Sequence, residues 1–311
     1  MSVVMQSAIP GLTLLSQDGV HDVYALPQQK QLVVYTDRMT VSGQLLGAAI
    51  PYRGLMFSQI TLYWLTRFKH LVGHNLVTRS IERFPREAIP YAAMLKGRSA
   101  ISQKLKELPL AFRVIGNLTG AEWRSYQETR TVAGKSLSRG LRESDWLEKP
   151  IMIIVPTSSD ISKQDMGDIS KWTQRMYGPV LYKKIEDICL SIFSVARGYA
   201  ARRGLVIADT FFEFGLHEGT PYIINDVMTP ERSTYWSAAA FAAGPPQMRW
   251  DRQPLLEWLA AQGWKKNQPL PEIPPDIISA ISSRCRAIYD VMAGKVALTE
   301  ETEEKEEKVA V

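Results

Sequence analysis

The chain of 311 residues has little cysteine, little histidine and no long apolar run. Its two cysteines, Cys189 and Cys285, are too few for a disulfide framework, and both lie in apolar, helix-like stretches that predict buried, reduced thiols. No stretch reaches the roughly 20 consecutive apolar residues of a membrane-spanning helix. The N-terminus also lacks a basic leader followed by a cleavable apolar segment. These absences predict a cytoplasmic protein that does not bind a membrane.

The composition is that of a folded globular chain. Hydrophobic residues make up 45% and charged residues 22% of the sequence, which provides enough apolar material for a substantial core. Because a domain usually spans about 100–200 residues, the length fits one large domain or two that pack closely together. The sequence leaves open whether the chain forms a homo-oligomer.

The formal charge of +5 is unevenly distributed. Residues 299–308 hold six Glu and two Lys, a local net of −4, so the rest of the chain is near +9. We interpret the acidic end, residues 299–311, as a solvated tail. A basic body is compatible with anionic small molecules, with nucleic acid or with solubility alone, and solubility is the most common reason.

Common catalytic and metal-binding motifs are scarce. His70 and His74 are spaced as i and i+4, but the sequence offers no evident third ligand. We therefore predict that the four histidines face solvent: His21, His70, His74 and His217. Residues 134–136 read Gly-Lys-Ser, but the position five residues before Gly134 is Thr129 and no apolar strand precedes it, which excludes a phosphate-binding P-loop.

Hydrophobic periodicity predicts strands in the first third of the chain and a strand pair after a long helix. The predicted elements are strands at 20–26 and 31–36, a helix at 57–71, a strand at 109–116, a helix at 168–203 and a strand–turn–strand unit at 205–228. Residues 117–141 break every regular period and are predicted to be an irregular segment, long enough to hold a ligand, for which the alternative is disorder. Within it, Trp123 and Tyr126 either stack on a base or pack in a core, and core packing is the usual role.

The strand–turn–strand unit places four polar residues among apolar ones: Asp209, Glu213, Asn225 and Asp226. With a two-residue turn at 218–219, Glu213 pairs with Ile224 and lies diagonal to Asp226, while Asn225 points to the opposite face. Two converging carboxylates can bind Mg²⁺ on nucleotide phosphates. They can equally form ion pairs with lysine or arginine, and the pattern alone gives the two interpretations equal weight.

Asp37 and Arg38 follow a predicted strand. Together they could orient the two charged groups of an amino acid, or they could form a surface ion pair, which is the more common role of such a short sequence.

Six segments in fixed order resemble the SAICAR synthetase (phosphoribosylaminoimidazole-succinocarboxamide synthetase) family, over residues 16–292. The segments are GVHDVY at 19–24, TDRMT at 36–40, IPYRG at 50–54, LTGAEWRSYQETRTVAGKSLSRGLRES at 118–144, GLVIADTFFEFG at 204–215 and NDVMTPERSTYW at 225–236. The resemblance implies an α+β, ATP-grasp-like architecture of two lobes with antiparallel sheets and flanking helices. Residues 1–108 would form a β-rich nucleotide-binding lobe and residues 109–298 a second lobe.

The resemblance also implies a reaction and a set of site residues. Family members use ATP and Mg²⁺ to activate a ribotide carboxylate as an acyl phosphate, which the amine of aspartate attacks. The implied catalytic residues are Asp209 and Glu213, and the implied metal ligands are Glu213, Asn225 and Asp226. The implied substrate-binding residues are Asp37, Arg38, Thr40, Thr119, Gly120, Arg232 and Ser233. The implied nucleotide-binding residues are Lys104, Lys106, Asp209, Glu213 and Asp226.

Several charged family positions differ in this sequence. A family lysine and arginine match Gly19 and His21, a glutamate and arginine match Ala111 and Ile115, and later family residues match Ala121, Ser159, residues 165–167, Phe211, Asn225 and Thr234. Four other arginines could supply anion contacts instead: Arg113, Arg124, Arg130 and Arg232. These departures leave three hypotheses. The first is a ligase with a diverged carboxylate acceptor. The second is an orthodox ligase that keeps the purine-pathway reaction of the family, with the missing residues replaced from other positions. The third is a non-catalytic nucleotide-binding protein with a regulatory or scaffolding role.

Overall fold

A computed structural model describes residues 3–159, 161–162, 168–241 and 244–294. The predicted acidic tail and the departure at 165–167 lie outside the described residues. The helices are α1 (Arg53–Phe68), α2 (Ala92–Leu95), α3 (Gly120–Thr129), α4 (Ile169–Tyr177), α5 (Pro179–Ala201), α6 (Gln253–Ala261) and α7 (Pro275–Met292), with 3₁₀ turns at Ile81–Arg83 and Ile89–Tyr91.

The strands occur in groups before and between these helices. They are β1 (Leu14–Gln17), β2 (His21–Leu26), β3 (Lys30–Tyr35), β4 (Thr40–Val41), β5 (Gln44–Leu45), β6 (Gly73–His74), β7 (Leu76–Thr78), β8 (Ser99–Gln103), β9 (Lys106–Asn117), β10 (Thr131–Val132), β11 (Lys135–Ser136), β12 (Trp146–Pro156), β13 (Leu205–His217), β14 (Thr220–Ile224) and β15 (Ser233–Ser237).

The first sheet has the strand order β1-β2-β3-β8-β7, and neighbouring strands run antiparallel. The predicted hairpin of β2 and β3 is confirmed, with a register from His21 opposite Tyr35 to Leu26 opposite Lys30. Gln28 and Gln29 at its turn both have left-handed φ, 59° and 55°. That geometry is typical of a type I′ turn, whose twist matches that of the flanking strands.

The second sheet has the order β12-β9-β13-β14-β6, and β15 pairs with the first half of β13. β6 comes from the first third of the chain and pairs in parallel with β14. The two sheets with their flanking helices confirm the predicted α+β class. The lobe boundary at residue 108 stays a prediction, because β6 joins the N-terminal part of the chain to the second sheet.

Helix α5 covers one face of the second sheet. Ile185, Cys189 and Ile192 are buried there, as their spacing predicts, and both cysteines are buried free thiols. The single helix predicted at 168–203 is wrong, since Gly178 and Pro179 divide it into α4 and α5. Proline has no N–H for the preceding turn but fits the first position of a new helix. Among the described helices, none is long and apolar enough to cross a bilayer.

The segment predicted to be irregular, residues 117–141, contains α3 and the β10–β11 hairpin. Periodicity missed this helix because Tyr126 is its single fully buried side chain. Trp123 and Tyr126 stack with ring centroids 5.7 Å apart and pack against a cluster that includes Ile115. Core packing, the preferred interpretation of these aromatics, is therefore confirmed.

Gly54 brings the first turn of α1 close to the end of β3. A Cβ atom at this position would lie 2.4 Å from the carbonyl oxygen of Tyr35 and 2.7 Å from that of Thr36. Backbone atoms cannot rotate away, so we expect Gly54→Ala to lower the free energy of unfolding by about 1–3 kcal/mol or more. Urea denaturation measures this change.

Gly47→Ala is the matched control, because a Cβ atom there would meet nothing within 4 Å. If both alanine variants were as stable as the original protein, our inference that α1 packs too closely against the end of β3 to accept a Cβ atom at position 54 would be wrong.

Candidate active site

The candidate site is a cavity of about 260 Å³ between the first sheet, α1 and the loop that follows β14. Its apolar wall includes Val23, Val33, Leu65, Leu76 and Ala100. Its lining also includes polar and charged residues: Asp18, His21, Glu107, Asn225 and Arg232. The cavity therefore offers both apolar surface and charged groups.

His21 begins β2 and joins the first sheet to the loop after β14. Its Nε2 lies 3.0 Å from Asp226 Oδ1, and its Nδ1 lies 3.2 Å from Asp18 Oδ2. The ring meets Tyr35 edge-on, with centroids 4.6 Å apart. Burial alone would lower the pKa of His21, but the ion pairs with Asp226 and Asp18 outweigh it and raise the pKa to about 10. His21 is therefore a cation at neutral pH.

The prediction that all four histidines face solvent is wrong for two of them. The side chain of His21 is 11% exposed, and His74 in β6 is half-buried. His70 and His217 are exposed, as predicted. The loops and strand pairings that enclose His21 and His74 come from distant parts of the sequence, so local spacing gave no sign of them.

The β13–β14 hairpin has the predicted register, with Glu213 opposite Ile224. Glu218 and Gly219 form its two-residue turn, with φ of 49° and 76°. The predicted position of Asp226 beside Glu213 is wrong. β14 ends at Ile224, and Asn225 adopts a left-handed φ of 60°, which redirects the chain. As a result the Nδ2 of Asn225 donates to Glu213 Oε2 at 2.6 Å, and Asp226 faces His21.

Both carboxylates of β13 are paired with arginines. Arg232 donates to the two oxygens of Glu213 at 2.9 Å each. Arg113 on β9 donates to Asp209 Oδ2 at 2.5 and 3.0 Å, and to Glu122 of α3 at 2.9 Å. Burial would lower the pKa of both arginines, but the carboxylates outweigh it and raise both pKa values. The sequence is compatible with a metal site or with ion pairs at these carboxylates, and the structure contains the ion pairs.

The predicted metal ligands Glu213, Asn225 and Asp226 do not form a coordination site. Both oxygens of Glu213 accept from Arg232, and the buried carboxylate of Asp226 is paired with His21. Among the described residues, no group of three His, Cys, Asp or Glu side chains could hold a metal ion. Mg²⁺ requires about six oxygen ligands in a near-octahedral arrangement, so this donor set does not fit a protein-bound Mg²⁺.

Asp37 and Arg38 form neither an open amino-acid site nor a surface ion pair. Asp37 is fully buried and accepts from the backbone N–H groups of Val4 and Gly54 and from Arg98, at 2.8–2.9 Å. Arg38 is also buried and pairs with Asp22 at 2.7 Å. The sequence identified two charged residues that matter to the fold, but their side chains are engaged inside the protein.

The remaining predicted site residues are spread around the cavity rather than gathered in its wall. Lys104 and Lys106 are exposed near the start of β9, and Thr40 is half-buried in β4. Thr119 and Gly120 begin α3, and the buried Ser233 lies 2.8 Å from the hydroxyl of Thr210. Of the four arginines proposed for anion contacts, Arg113 and Arg232 reach the hairpin acids, whereas Arg124 and Arg130 are exposed on and just after α3.

Four of the departures lie beside the hairpin acids on the second sheet. Ala111 is opposite Glu213, Ile115 is opposite Asp209, and Phe211 is opposite Arg113. Thr234 is opposite Asp209 on the other side. Sequence reasoning missed Asp18, Tyr35 and Glu122, which bind or contact His21 and Arg113. Asp18 contacts His21 locally, three residues away, whereas Tyr35 meets His21 through strand pairing and Glu122 meets Arg113 where α3 packs beside β9.

The comparisons with known proteins agree on one family. A family model described as SAICAR synthetase matches residues 15–271. The phosphoribosylaminoimidazole-succinocarboxamide synthase of Maridesulfovibrio salexigens is 35% identical over 274 residues, which cover 88% of this chain and 91% of that protein. The protein of the same name from Desulfosudis oleivorans is 34% identical and covers 94% and 99% of the two chains.

Solved structures show the same similarity in three dimensions. The SAICAR synthase of Saccharomyces cerevisiae, complexed with SAICAR, matches with a TM-score of 0.85 at 26% identity, over 95% of this chain and 100% of that one. A SAICAR synthetase (Type-2) in complex with ADP shares the fold, with a TM-score of 0.59 at 16% identity over 90% and 97% of the two chains.

Proposed function

The chain belongs to the SAICAR synthetase family, and from this premise we propose that it is an ATP-dependent carboxylate–amine ligase. In the family reaction, a carboxylate oxygen of the ribotide attacks the γ-phosphorus of ATP and ADP leaves. The amine of aspartate then attacks the acyl carbon of the acyl phosphate, inorganic phosphate leaves and the nitrogen loses a proton. Dividing one difficult condensation into two transfers leaves the protein chiefly the tasks of positioning and charge stabilisation.

The cavity of about 260 Å³ supports the nucleotide part of this proposal. Its apolar wall, formed by residues such as Val33 and Leu76, is suited to a flat base, and Asn75 and Ser102 beside that wall can form hydrogen bonds. Arg232 lines the same cavity, where it can meet phosphate oxygens. We place the nucleotide between a lobe of residues 1–108 and a lobe of residues 109–298.

The second sheet supports a diverged acceptor. Around Asp209 and Glu213, the resemblance implies charged groups at four positions that here hold Ala111, Ile115, Phe211 and Thr234. Arg113 lies in the middle of this surface, directly opposite Phe211, and is held by Asp209 and Glu122. A fixed guanidinium of this kind can orient the acceptor carboxylate for attack on ATP. We propose an acceptor that is a heterocyclic carboxylate, ribotide-like but different in its charged contacts.

ADP release tests this function. We expect the purified protein with Mg-ATP, aspartate and a panel of heterocyclic carboxylates, including carboxyaminoimidazole ribotide, to release ADP with at least one acceptor. Asp209→Asn is the matched control, because it keeps the size of the side chain but removes the charge that holds Arg113. We expect it to slow ADP release by about tenfold or more. Equal release by both proteins would indicate a contaminating ATPase.

One observation favours a second candidate, a nucleotide-binding protein without catalysis. The two carboxylates of β13 are already neutralised by Arg113 and Arg232, so neither is an open ligand in this conformation. Calorimetry separates the candidates. Binding of Mg-ATP without ADP release across the whole panel would favour the non-catalytic role, and growth of a purine-auxotrophic host that lacks its own synthetase would favour the orthodox ligase.

A further inference from the structure

We propose that Arg232, held by Glu213, binds the nucleotide phosphates in place of a divalent cation bound to the protein. It follows that the β13–β14 hairpin has no metal site of its own and that a divalent cation enters only with the nucleotide. The phosphate contact rests on the proposed nucleotide-binding function, whereas the lack of a metal site does not.

The hydrogen bonds of Glu213 are those of a carboxylate that binds an arginine side chain. Its two oxygens accept two parallel N–H groups of Arg232 at 2.9 Å, which is the bidentate arrangement of a guanidinium on a carboxylate. The Nδ2 of Asn225 adds a third donor at 2.6 Å. A metal ion at Glu213 would have to displace these donors and would then lie beside a guanidinium of like charge.

Arg232 is also placed to meet a ligand. It lines the cavity together with Asn225, and its side chain is 27% exposed. The two hydrogen bonds to Glu213 use two of the five N–H donors of a guanidinium. Since arginine matches the geometry of phosphate as well as that of carboxylate, the same group can bind Glu213 on one edge and a phosphate on another.

The backbone around Arg232 is anchored on both sides. Glu231 accepts from Arg53 at 2.5 Å and from Arg252 at 2.7 Å, and the carbonyl oxygen of Arg232 accepts from the N–H of Phe211 at 2.9 Å. Arg249 binds the carbonyl oxygen of Pro230. An anchored guanidinium requires little reorganisation when an anion arrives, which is the property that makes fixed donors effective.

Asp226 is not available to complete a metal site with Glu213. Its side chain is 1% exposed and forms an ion pair with His21. Beside Asn225, the hairpin therefore offers one carboxylate, that of Glu213, already paired with Arg232, and one amide. Divalent magnesium or manganese requires several open oxygen ligands.

The first experiment asks whether the protein binds metal without nucleotide. Mn²⁺ is titrated into the full-length protein, and free Mn²⁺ is followed by its electron paramagnetic resonance signal. We expect no saturable binding, both for the original protein and for Glu213→Gln. One Mn²⁺ bound per chain, and lost in Glu213→Gln, would overturn the proposal.

The second experiment asks whether Arg232 contacts phosphate. Calorimetry compares the binding of adenosine and ATP to the original protein, Arg232→Lys and Arg232→Met. We expect Arg232→Met to weaken ATP binding by about tenfold or more, Arg232→Lys to weaken it less, and adenosine binding to stay unchanged. Arg86→Met, which removes an arginine whose side chain is 95% exposed, is the matched control.

A double variant separates a lost contact from a new repulsion. In Arg232→Met the freed carboxylate of Glu213 could itself repel ATP, so Glu213→Gln is added, and we expect ATP binding to stay weak. Unchanged ATP affinity in a folded Arg232→Met variant would overturn this inference and leave the proposed ligase intact. Failure of the original protein to bind ATP at all would overturn both.

Discussion

Replacing His21 by alanine is expected to lower the free energy of unfolding by about 3–5 kcal/mol, because the change leaves a buried carboxylate without its counter-charge. Asp226 has a side chain that is 1% exposed, and His21 is its close cationic partner, with 3.0 Å between Nε2 and Oδ1. Burial would raise the pKa of Asp226, but His21, Arg232 and Tyr35 hold it below its usual value. Chemical denaturation followed by circular dichroism measures the loss.

Two variants show whether the unpaired charge is the cause. Asp226→Asn added to His21→Ala removes the buried charge and should recover a substantial part of the lost stability. His217→Ala, which removes an exposed histidine at the end of β13, should change the stability little. If the double variant were no more stable than His21→Ala, the ion pair would not be the source of the effect.

The same ion pair makes the stability of the protein dependent on pH. The pKa of His21 rises from 6.5 in the unfolded chain to about 10 in the folded one, so the folded protein holds this proton more tightly. The stabilisation is complete below pH 6.5 and is lost as the pH rises toward about 10. The stability difference between the original protein and His21→Ala should therefore shrink across this interval.

Asp37→Asn is the second substitution with a large expected effect, also about 3–5 kcal/mol. It removes the charge that neutralises Arg98, whose side chain is 2% exposed and lies 2.9 Å from the carboxylate. It also weakens the acceptor for the N–H groups of Val4 and Gly54, which tie the N-terminal segment and α1 to the end of β3. We expect a large fall in the urea midpoint and, in the protein that remains folded, an unchanged KM for the amino acid.

This experiment separates a structural role from a ligand-binding one. Glu128→Gln neutralises an exposed carboxylate of α3 and should leave both stability and KM unchanged. An Asp37→Asn variant as stable as the original protein, with a raised KM for the amino acid, would instead restore the interpretation that Asp37 and Arg38 bind substrate.

The elements that the sequence predicted best are those that depend on local chemistry. The β2–β3 hairpin and the register of β13 with β14 follow from short turns and alternating side chains, which act over a few residues. The break between α4 and α5 could also have been recognised, since Gly178-Pro179 is a local signal. Helix α3 could not, because it buries little surface and its packing partners lie on β9 and β12.

The candidate site shows the same division between features set by local sequence and features set by contacts between distant segments. The sequence identified Asp209, Glu213 and Arg232 as functional candidates. For Glu213 it indicated one of two partners, a metal ion or a basic side chain. It could not choose between them, because the choice depends on the left-handed backbone of Asn225 and on the loop that brings Arg232 back to β13. The sequence predicts a solvent-facing position for His21, because Asp226, 205 positions away, meets it only in the folded chain.

The sequence by itself determined the family, the α+β class and the residues of the hairpin, because ordered motifs and periodicity are properties of the linear chain. The tertiary structure decided which charges are neighbours. It buried Asp37 with Arg98, locked His21 between two carboxylates and placed arginines on both hairpin acids. The physical reason is that electrostatic interactions depend on distance and burial, and both arise only when distant segments pack together.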